Sequence, residues 1–376
     1  MLKRFFALLL IFVMAVSAAL AEWTDDYFTL PTTVRDAALA DEMIVLSTGV
    51  FAPALQKTRM EKYGFTQIAA KNYGRELGDM RHVCAYTVYT KTLENGRGAV
   101  IIVIRGTGME EWPLNFDVMP SGHYDLNVAE NFYLAGKDIL DTWGDTFESL
   151  NAPLFMVTGH SRGAACANVL GTLLTDRYGE ENVWCYTFAT PTTVRGEYKQ
   201  YNNIFNYINT CDIVPYLPLP QWGFERYGTD IMMEPDKLTA EQTEAVQNAL
   251  ASYGDKMKWS VIAGGSDTVK SFVDALASLG DVNDLYNTRW STLHSGKALE
   301  GEEGMTAGEF MLSLIDSIGS SVGAVVVKLA RYQANHTAFE PIVRQLVSMI
   351  TSGAIESVGI MHAQNTYRAL MEALQP

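Results

Sequence analysis

The feature that most constrains the fold is a short glycine-rich turn between an apolar run and a helical segment. Residues 154–158 are apolar or β-branched, which predicts a strand buried on both faces of a sheet. The turn Gly-His-Ser-Arg-Gly at 159–163 follows at once, and residues 161–178 have helical spacing that ends before Gly179. A buried strand that leads through a tight turn into a helix is the repeating unit of an α/β fold.

The same alternation of strands and helices extends over much of the chain. Further strands are predicted at residues 83–90, 99–104, 183–189 and 204–209, and further helices at residues 32–50, 54–63 and 127–150. Because residues 99–104 are apolar without a break, we expect that strand near the centre of its sheet. The sequence therefore predicts an α/β fold whose mostly parallel sheet is flanked by helices.

The first 21 residues have the composition of an export signal. Lys3 and Arg4 precede an apolar run at 5–16, and Ala19-Leu20-Ala21 supplies the small residues that a signal peptidase requires. The run is shorter than the roughly 20 residues that span a bilayer. We therefore expect cleavage after Ala21 and secretion, either to a periplasm or out of the cell.

Composition argues against two classes of partner and gives no sign of a metal site. The net charge of −15 disfavours binding to nucleic acid or to an anionic membrane. The cysteines, Cys84, Cys166, Cys185 and Cys211, are too sparse for a disulfide scaffold or a zinc site. We expect buried thiols, and a pair between Cys185 and Cys211 stays open in an oxidising compartment.

Ser161, in the middle of the turn, is the candidate nucleophile. A serine hydroxyl attacks only when a base removes its proton, so its placement matters more than its presence. Gly159 and Gly163 remove the side chains that would clash when Ser161 takes a strained backbone in a sharp strand-turn-helix. We expect His160 to point away from the site and to support the turn. The pattern predicts acyl transfer through Ser161.

Acyl transfer also needs donors for the negative oxygen of the tetrahedral intermediate. The backbone N–H of Arg162, directly after the nucleophile, is the first candidate. The second is Thr107, in the glycine-containing segment 104–108 that follows the most apolar strand. An ordinary turn at the strand end is the alternative for that segment.

The triad acid is expected at the end of a later strand. Asp212 follows the strand at 204–209 and precedes a loop stiffened by Pro215 and Pro218. From this position its carboxylate would orient the catalytic histidine and stabilise the imidazolium. A simple capping or turn residue is the alternative.

The base is chosen among three histidines. The chain order Ser, Asp, His excludes His82 and His123. His362 is preferred because it lies in a loop before the last predicted helix, from which it can reach the sheet edge. His336 is the alternative base, since it also precedes a predicted helix, and His294 is the least favoured.

Four segments occur in the order and spacing of the class 3 (fungal-type) lipase family, an α/β-hydrolase family. They are Arg105-Gly106-Thr107, Gly159-His160-Ser161-Arg162-Gly163, Phe188-Ala189-Thr190-Pro191 and Asp212-Ile213-Val214-Pro215-Tyr216-Leu217-Pro218. This resemblance, which covers roughly residues 83–227, implies an esterase of the triacylglycerol-lipase kind. It implies Ser161 as nucleophile, Asp212 as triad acid and Thr107 in the oxyanion hole. The tyrosine shortly after His362 also resembles the end of the family's pattern.

The combined prediction is a secreted carboxylic ester hydrolase, most simply a lipase, which needs no cofactor and acts on acyl esters or lipids. A related esterase, phospholipase or acyltransferase is the enzymatic alternative, and a non-catalytic binding protein with this fold is another.

Thr239 and Gln242 have capping-box spacing, which predicts a helix after residue 239. Apolar residues 310–329 would line an acyl cleft beneath a helical cap, or pack as the cap's own core. The predicted divisions are the leader (1–21), the core with nucleophile and acid (22–226), a helical insertion or cap (227–335) and the segment with the histidine (336–376).

Overall fold

A sheet of seven strands organises the described part of the chain. The computed structural model describes residues 23–73, 82–106, 127–254, 259, 265–278 and 359–374. The strands are β1 (Thr66–Lys71), β2 (Tyr86–Thr92), β3 (Gly98–Ile104), β4 (Leu154–His160), β5 (Val183–Phe188), β6 (Val194–Arg195), β7 (Ile204–Asn209), β8 (Phe224–Glu225) and β9 (Thr229–Met233). The helices are α1 (Ala37–Gly49), α2 (Pro53–Lys62), α3 (Glu130–Glu148), α4 (Arg162–Tyr178), α5 (Ala240–Ser252), α6 (Gly265–Ala277) and α7 (Gln364–Ala373).

The sheet has the order β1-β2-β3-β4-β5-β7-β9, and β6 pairs with β8 in a separate ribbon. Strands β3, β4, β5, β7 and β9 run parallel, whereas β1 and β2 are antiparallel additions at one side. In such a sheet the carboxyl ends of the parallel strands meet at one edge, where α/β proteins place their sites. The predicted fold class is confirmed.

Two large apolar cores lie on opposite faces of the sheet, because successive side chains of a strand point to opposite sides. On β3, Ile101 enters the core that α1, α5 and α7 cover. The next residue, Ile102, enters the core that α3 and α4 cover. All seven residues of β3 and of β4 are buried, which agrees with the unbroken apolar runs in the sequence.

The two outermost strands of the described sheet, β1 and β9, are absent from the sequence prediction. Both are largely exposed, so they lack the apolar runs by which buried strands are recognised. Strand β9 pairs with β7 from Phe205 with Thr229 to Asn209 with Met233. The sheet therefore continues beyond residue 226, into the stretch assigned to the insertion.

The described parts of the insertion are helical beyond β9. The predicted capping box opens α5: the Thr239 hydroxyl accepts from the backbone N–H of Gln242 at 3.2 Å. Val246 and Leu250 of α5 pack into the same core as α7. Residues 310–329 lie outside the described residues, so the cap stays a prediction.

Two expectations from composition concern the cysteines and the leader. All four cysteines are buried free thiols, so Cys185 and Cys211 are not paired. Residues 1–22 lie outside the described residues, and cleavage after Ala21 stays a prediction. Among the helices that the structure describes, none combines the length and apolarity needed to cross a membrane.

Candidate active site

The turn between β4 and α4 holds Ser161 in a strained backbone conformation. Its φ of 60° and ψ of −132° are rare for a residue with a side chain. The conformation is maintained from outside the turn, because the Ser161 N–H donates to the Phe188 carbonyl on β5 at 2.9 Å. Strain that the surrounding structure imposes in this way is typical of functional sites, and this turn has the form of a nucleophile elbow.

Three glycines allow the segments around Ser161 to approach one another closely. A Cβ atom on Gly159 would lie 2.4 Å from the carbonyl carbon of Gly163. A Cβ on Gly163 would lie 2.5 Å from the carbonyl oxygen of Ile104, and one on Gly106 would lie 2.8 Å from that of His160. All three contacts are with backbone atoms that cannot move aside alone. The glycines are therefore a steric requirement of the elbow.

The variant Gly163→Ala is expected to lower the free energy of unfolding by about 1–3 kcal/mol, the usual cost of overpacking. The added methyl group would push α4 away from the end of β3. Gly49→Ala is the matched control, because its Cβ would meet its nearest atom, Nε2 of Gln56, at an ordinary 3.5 Å. Urea unfolding of both variants tests this, and equal stability would show that the close approach is not required.

Ser161, His362 and Asp212 form a continuous hydrogen-bonded chain. Nε2 of His362 lies 3.0 Å from Oγ of Ser161, and Nδ1 lies 2.7 Å from Oδ2 of Asp212. The Asp212 side chain is fully buried, whereas that of His362 is 19% exposed. A proton on Nδ1, donated to the carboxylate, leaves Nε2 as an acceptor for the serine hydroxyl. The arrangement can thus withdraw the proton of Ser161.

Each of these three hydrogen-bonded residues comes from a different part of the fold. Ser161 comes directly after β4, and Asp212 lies three residues after the end of β7. His362 ends a helical turn at residues 359–362, just before α7. The structure therefore brings three predicted site residues together at the carboxyl edge of the parallel strands. The other candidate bases, His336 and His294, lie outside the described residues.

The carboxylate of Asp212 accepts two further hydrogen bonds. The Tyr367 hydroxyl on α7 donates to Oδ2 at 2.8 Å, and the backbone N–H of Val214 donates to Oδ1 at 3.0 Å. Burial, reinforced by the Asp212 charge, raises the pKa of Tyr367 well above its usual value, so the hydroxyl keeps its proton. In the sequence Tyr367 stands out only as a tyrosine soon after His362, and no pattern assigns it a partner.

His160 packs against His362 and Tyr367, so the expectation that it points away from the candidate site is wrong. Its ring centroid lies 4.8 Å from that of His362 and 5.6 Å from that of Tyr367. Alternation along β4 explains this, because His160 shares a face with Met156, on the side of the sheet that α7 covers. Burial, followed by the nearby His362, lowers the pKa of His160 well below its usual value. A neutral ring therefore supports His362.

The oxyanion hole is described only in part. Arg162 is the first residue of α4, and backbone N–H groups in the first turn of a helix have no acceptor within that helix. Its buried side chain is held elsewhere, because Nη2 donates to the Val83 carbonyl at 3.1 Å. Thr107 lies outside the described residues, but Gly106 next to it approaches the elbow at His160. The roles of both donors stay predictions.

The parallel sheet with an elbow at Ser161 directly after β4 is the architecture of an α/β-hydrolase. Residues 101–222 match the family model described as lipase (class 3). The resemblance predicted from the sequence motifs is therefore confirmed for this stretch of the chain. Comparison with the curated proteins finds no similar sequence.

Solved structures similar to this chain include several fungal lipases. The lipase of Rhizopus microsporus var. chinensis is 18% identical, with a TM-score of 0.41, over 53% of this chain and 76% of that one. The triacylglyceride lipase of Rhizomucor miehei is 21% identical, with a TM-score of 0.40, over 56% and 82%. The mono- and diacylglycerol lipase of Aspergillus oryzae is 18% identical, with a TM-score of 0.39, over 51% and 77%.

Proposed function

We propose that this protein is an exported lipase that cleaves acyl esters through a covalent acyl-enzyme. Ser161 is the nucleophile, His362 the base and Asp212 the triad acid. The observation that carries the proposal is the unbroken chain of hydrogen bonds from Oγ of Ser161 through His362 to Asp212. A non-catalytic binding protein would have no need of a strained serine joined to a buried carboxylate in this way.

The steps of ester hydrolysis follow from the hydrogen bonds that join Ser161, His362 and Asp212. Oγ of Ser161 attacks the ester carbonyl while Nε2 of His362 takes its proton, and Asp212 stabilises the resulting imidazolium. The backbone N–H groups of Arg162 and Thr107 bind the negative oxygen. The intermediate collapses, and the leaving alcohol takes the proton from His362. Water then attacks the acyl-enzyme by the reverse steps and releases the acid.

The class 3 lipase match favours lipid acyl esters as substrates. We assign triacylglycerol or a related acyl ester to the site, with esterase, phospholipase or acyltransferase activity as the alternatives on the same chemistry. The helical part of the insertion, which follows β9, is assigned the role of a cap over the site. Rates measured on dissolved and on aggregated esters test the cap, because a cap that opens at a lipid surface gives a jump in rate at the solubility limit.

A fluorophosphonate probe tests the proposed function directly. The probe reacts with a serine only when a neighbouring base activates it, so it should label the protein, and peptide mapping should find the adduct on Ser161. A chain-length series of nitrophenyl esters, beside a triglyceride and a phospholipid, then assigns the substrate. Absence of labelling, together with absence of turnover on all of these esters, would contradict the proposal.

Export is inferred from residues 1–21. We expect the secreted protein to begin at Glu22, which mass measurement of the purified chain can check. In the structure Trp23 is 6% exposed and packs edge-on against Phe65, at a centroid distance of 5.5 Å. Cleavage at the expected position would therefore leave the anchored tryptophan intact.

The variant Tyr367→Phe is expected to lower kcat about 10- to 100-fold, because a hydrogen bond to a charged group contributes about 1.5–3 kcal/mol. It removes the hydroxyl that donates to Asp212 and leaves the ring in place. Tyr201→Phe is the matched control, since the Tyr201 hydroxyl also donates to a carboxylate, that of Asp176, at 2.9 Å. Steady-state kinetics should show a loss for the first variant alone, and equal kcat values would exclude the role of Tyr367.

A further inference from the structure

Arg226 lies between β8 and β9, beyond the stretch that matches the family model. Its side chain is only 8% exposed and is surrounded by oxygen atoms. Nε and Nη2 donate to the carboxylate of Asp230, at 3.0 Å to Oδ1 and 2.6 Å to Oδ2. The remaining terminal nitrogen, Nη1, donates to two backbone carbonyls, those of Thr190 at 3.1 Å and of Pro215. The guanidinium therefore joins two loops that are distant in sequence.

One of these loops carries the triad acid. Pro215 lies in the 3₁₀ turn Val214–Tyr216, directly after Asp212. The backbone N–H of Val214 donates to Oδ1 of Asp212 at 3.0 Å. Arg226 therefore holds the carbonyl of Pro215, and the residue directly before it, Val214, binds the carboxylate of Asp212 through its backbone N–H.

The other loop supports the nucleophile. Thr190 lies two residues after Phe188, whose carbonyl accepts the hydrogen bond from the backbone N–H of Ser161 at 2.9 Å. Asp230, which aligns the guanidinium, is itself anchored to the sheet, because Nδ2 of Asn206 on β7 donates to it at 3.0 Å. Arg226 thus connects the segment after β5, which bonds to Ser161, with the loop that carries Asp212. Asp230 fixes the position of the guanidinium relative to the sheet.

We propose that Arg226 is a positioning residue, which sets the place of the Asp212 carboxylate relative to His362 by clamping the acid loop to the segment after β5. This inference rests on the proposed function. A planar guanidinium with donors in fixed directions can serve a carboxylate and two carbonyls at once, whereas an ammonium is a point charge on a flexible stem. Small errors in the placement of catalytic groups cost large factors in rate.

The variant Arg226→Lys tests the clamp because it keeps the charge and removes the planar fork. Misplacement by about 1 Å can cost up to about 100-fold, so we expect kcat to fall between about 10- and 100-fold. Arg226 does not contact Ser161, so we expect the variant to lose stabilisation of the transition state alone. KM should therefore stay within roughly twofold of the wild-type value. The low-field proton resonance of the Nδ1–H of His362, bonded to Asp212, should shift or broaden. A merely structural role would leave that signal in place in the folded protein.

Arg59→Lys is the matched control. Arg59 also forms a partly buried ion pair, with Glu42 at 2.6 Å, but this pair joins α2 to α1. At equal folded fraction it should keep kcat within roughly twofold and the low-field resonance unchanged, because it leaves transition-state contacts intact. A fall in kcat with Arg59→Lys as large as that with Arg226→Lys would overturn the proposal.

Asp230→Asn provides the second variant in case Arg226→Lys does not fold. It keeps Arg226 and both carbonyl bonds but weakens the anchor that aligns the guanidinium, so we expect a smaller fall in kcat with unchanged KM. Full kcat in whichever of the two variants folds would overturn the proposal. Fluorophosphonate labelling distinguishes a failure of the proposed function from a failure of the role of Arg226. An unlabelled wild-type protein contradicts the proposed function, whereas equal labelling rates of wild type and variant contradict only the role of Arg226.

Discussion

Replacement of Ser161 by alanine is expected to lower kcat for ester hydrolysis about 10⁶-fold, as loss of the nucleophile does in serine hydrolases. The hydroxyl is the group that forms the bond to the acyl carbon, and no other atom of the elbow can replace it. The fold should persist, because alanine keeps the Cβ of serine and therefore adds no strain to the backbone conformation of this position. Steady-state kinetics and thermal unfolding of the variant measure both effects.

Ser47→Ala is the control for this prediction. Ser47 is also buried, and its hydroxyl donates to the carbonyl of Ile44 within α1, at 2.9 Å. The hydroxyl bonds within α1 and not to Ser161, His362 or Asp212, so its loss should leave kcat unchanged. Substantial activity in Ser161→Ala, or a fluorophosphonate adduct on another residue of that variant, would place the nucleophile elsewhere.

Replacement of His362 by alanine is expected to lower kcat by about the same factor as Ser161→Ala, because nucleophile and base act as a unit. For the same reason the double variant should be no slower than either single variant. Asp212→Asn should cost less, about 10⁴-fold, since Ser161 and the histidine remain and the histidine has the wrong tautomer. Wild type, the two single alanine variants and their double variant form a complete double-mutant cycle, and kinetics of Asp212→Asn are measured beside it.

His336→Ala discriminates between the two candidate bases. If His362 is the base, the His336 variant should keep nearly all of its activity, and only His362→Ala should lose labelling by the fluorophosphonate. The reverse pattern would show that the hydrogen bond between His362 and Ser161 is not the catalytic one.

The local pattern around Ser161 was sufficient to predict the fold class and the elbow. Apolar runs reveal buried strands because burial on both faces removes polar residues, as on β3 and β4. Gly159 and Gly163 were recognisable because only a residue without a side chain fits against the neighbouring backbone. The exposed strands β1 and β9 carry no such pattern, and they were found only in the structure.

The position of Asp212 could also be predicted from the sequence, because a carboxylate directly after a parallel strand lies at the carboxyl edge of the sheet, where Ser161 also lies. The choice of base was different. His362 lies 150 residues from Asp212 and 201 from Ser161, so no spacing connects them. Three histidines follow Asp212 in the sequence, and their local sequence context could rank them but could not show which one lies beside Ser161.

The sequence by itself determined what depends on neighbours along the chain: the strand-turn-helix, the glycines, the α/β class and the family motifs. The tertiary structure alone decided what depends on distance through space: the pairing of His362 with Ser161, the packing of His160, and the bonds from Tyr367 and Arg226. The physical reason is that side chains from separate elements meet only after the sheet and its helices have packed. A single tyrosine or arginine has no local pattern that reveals its partner.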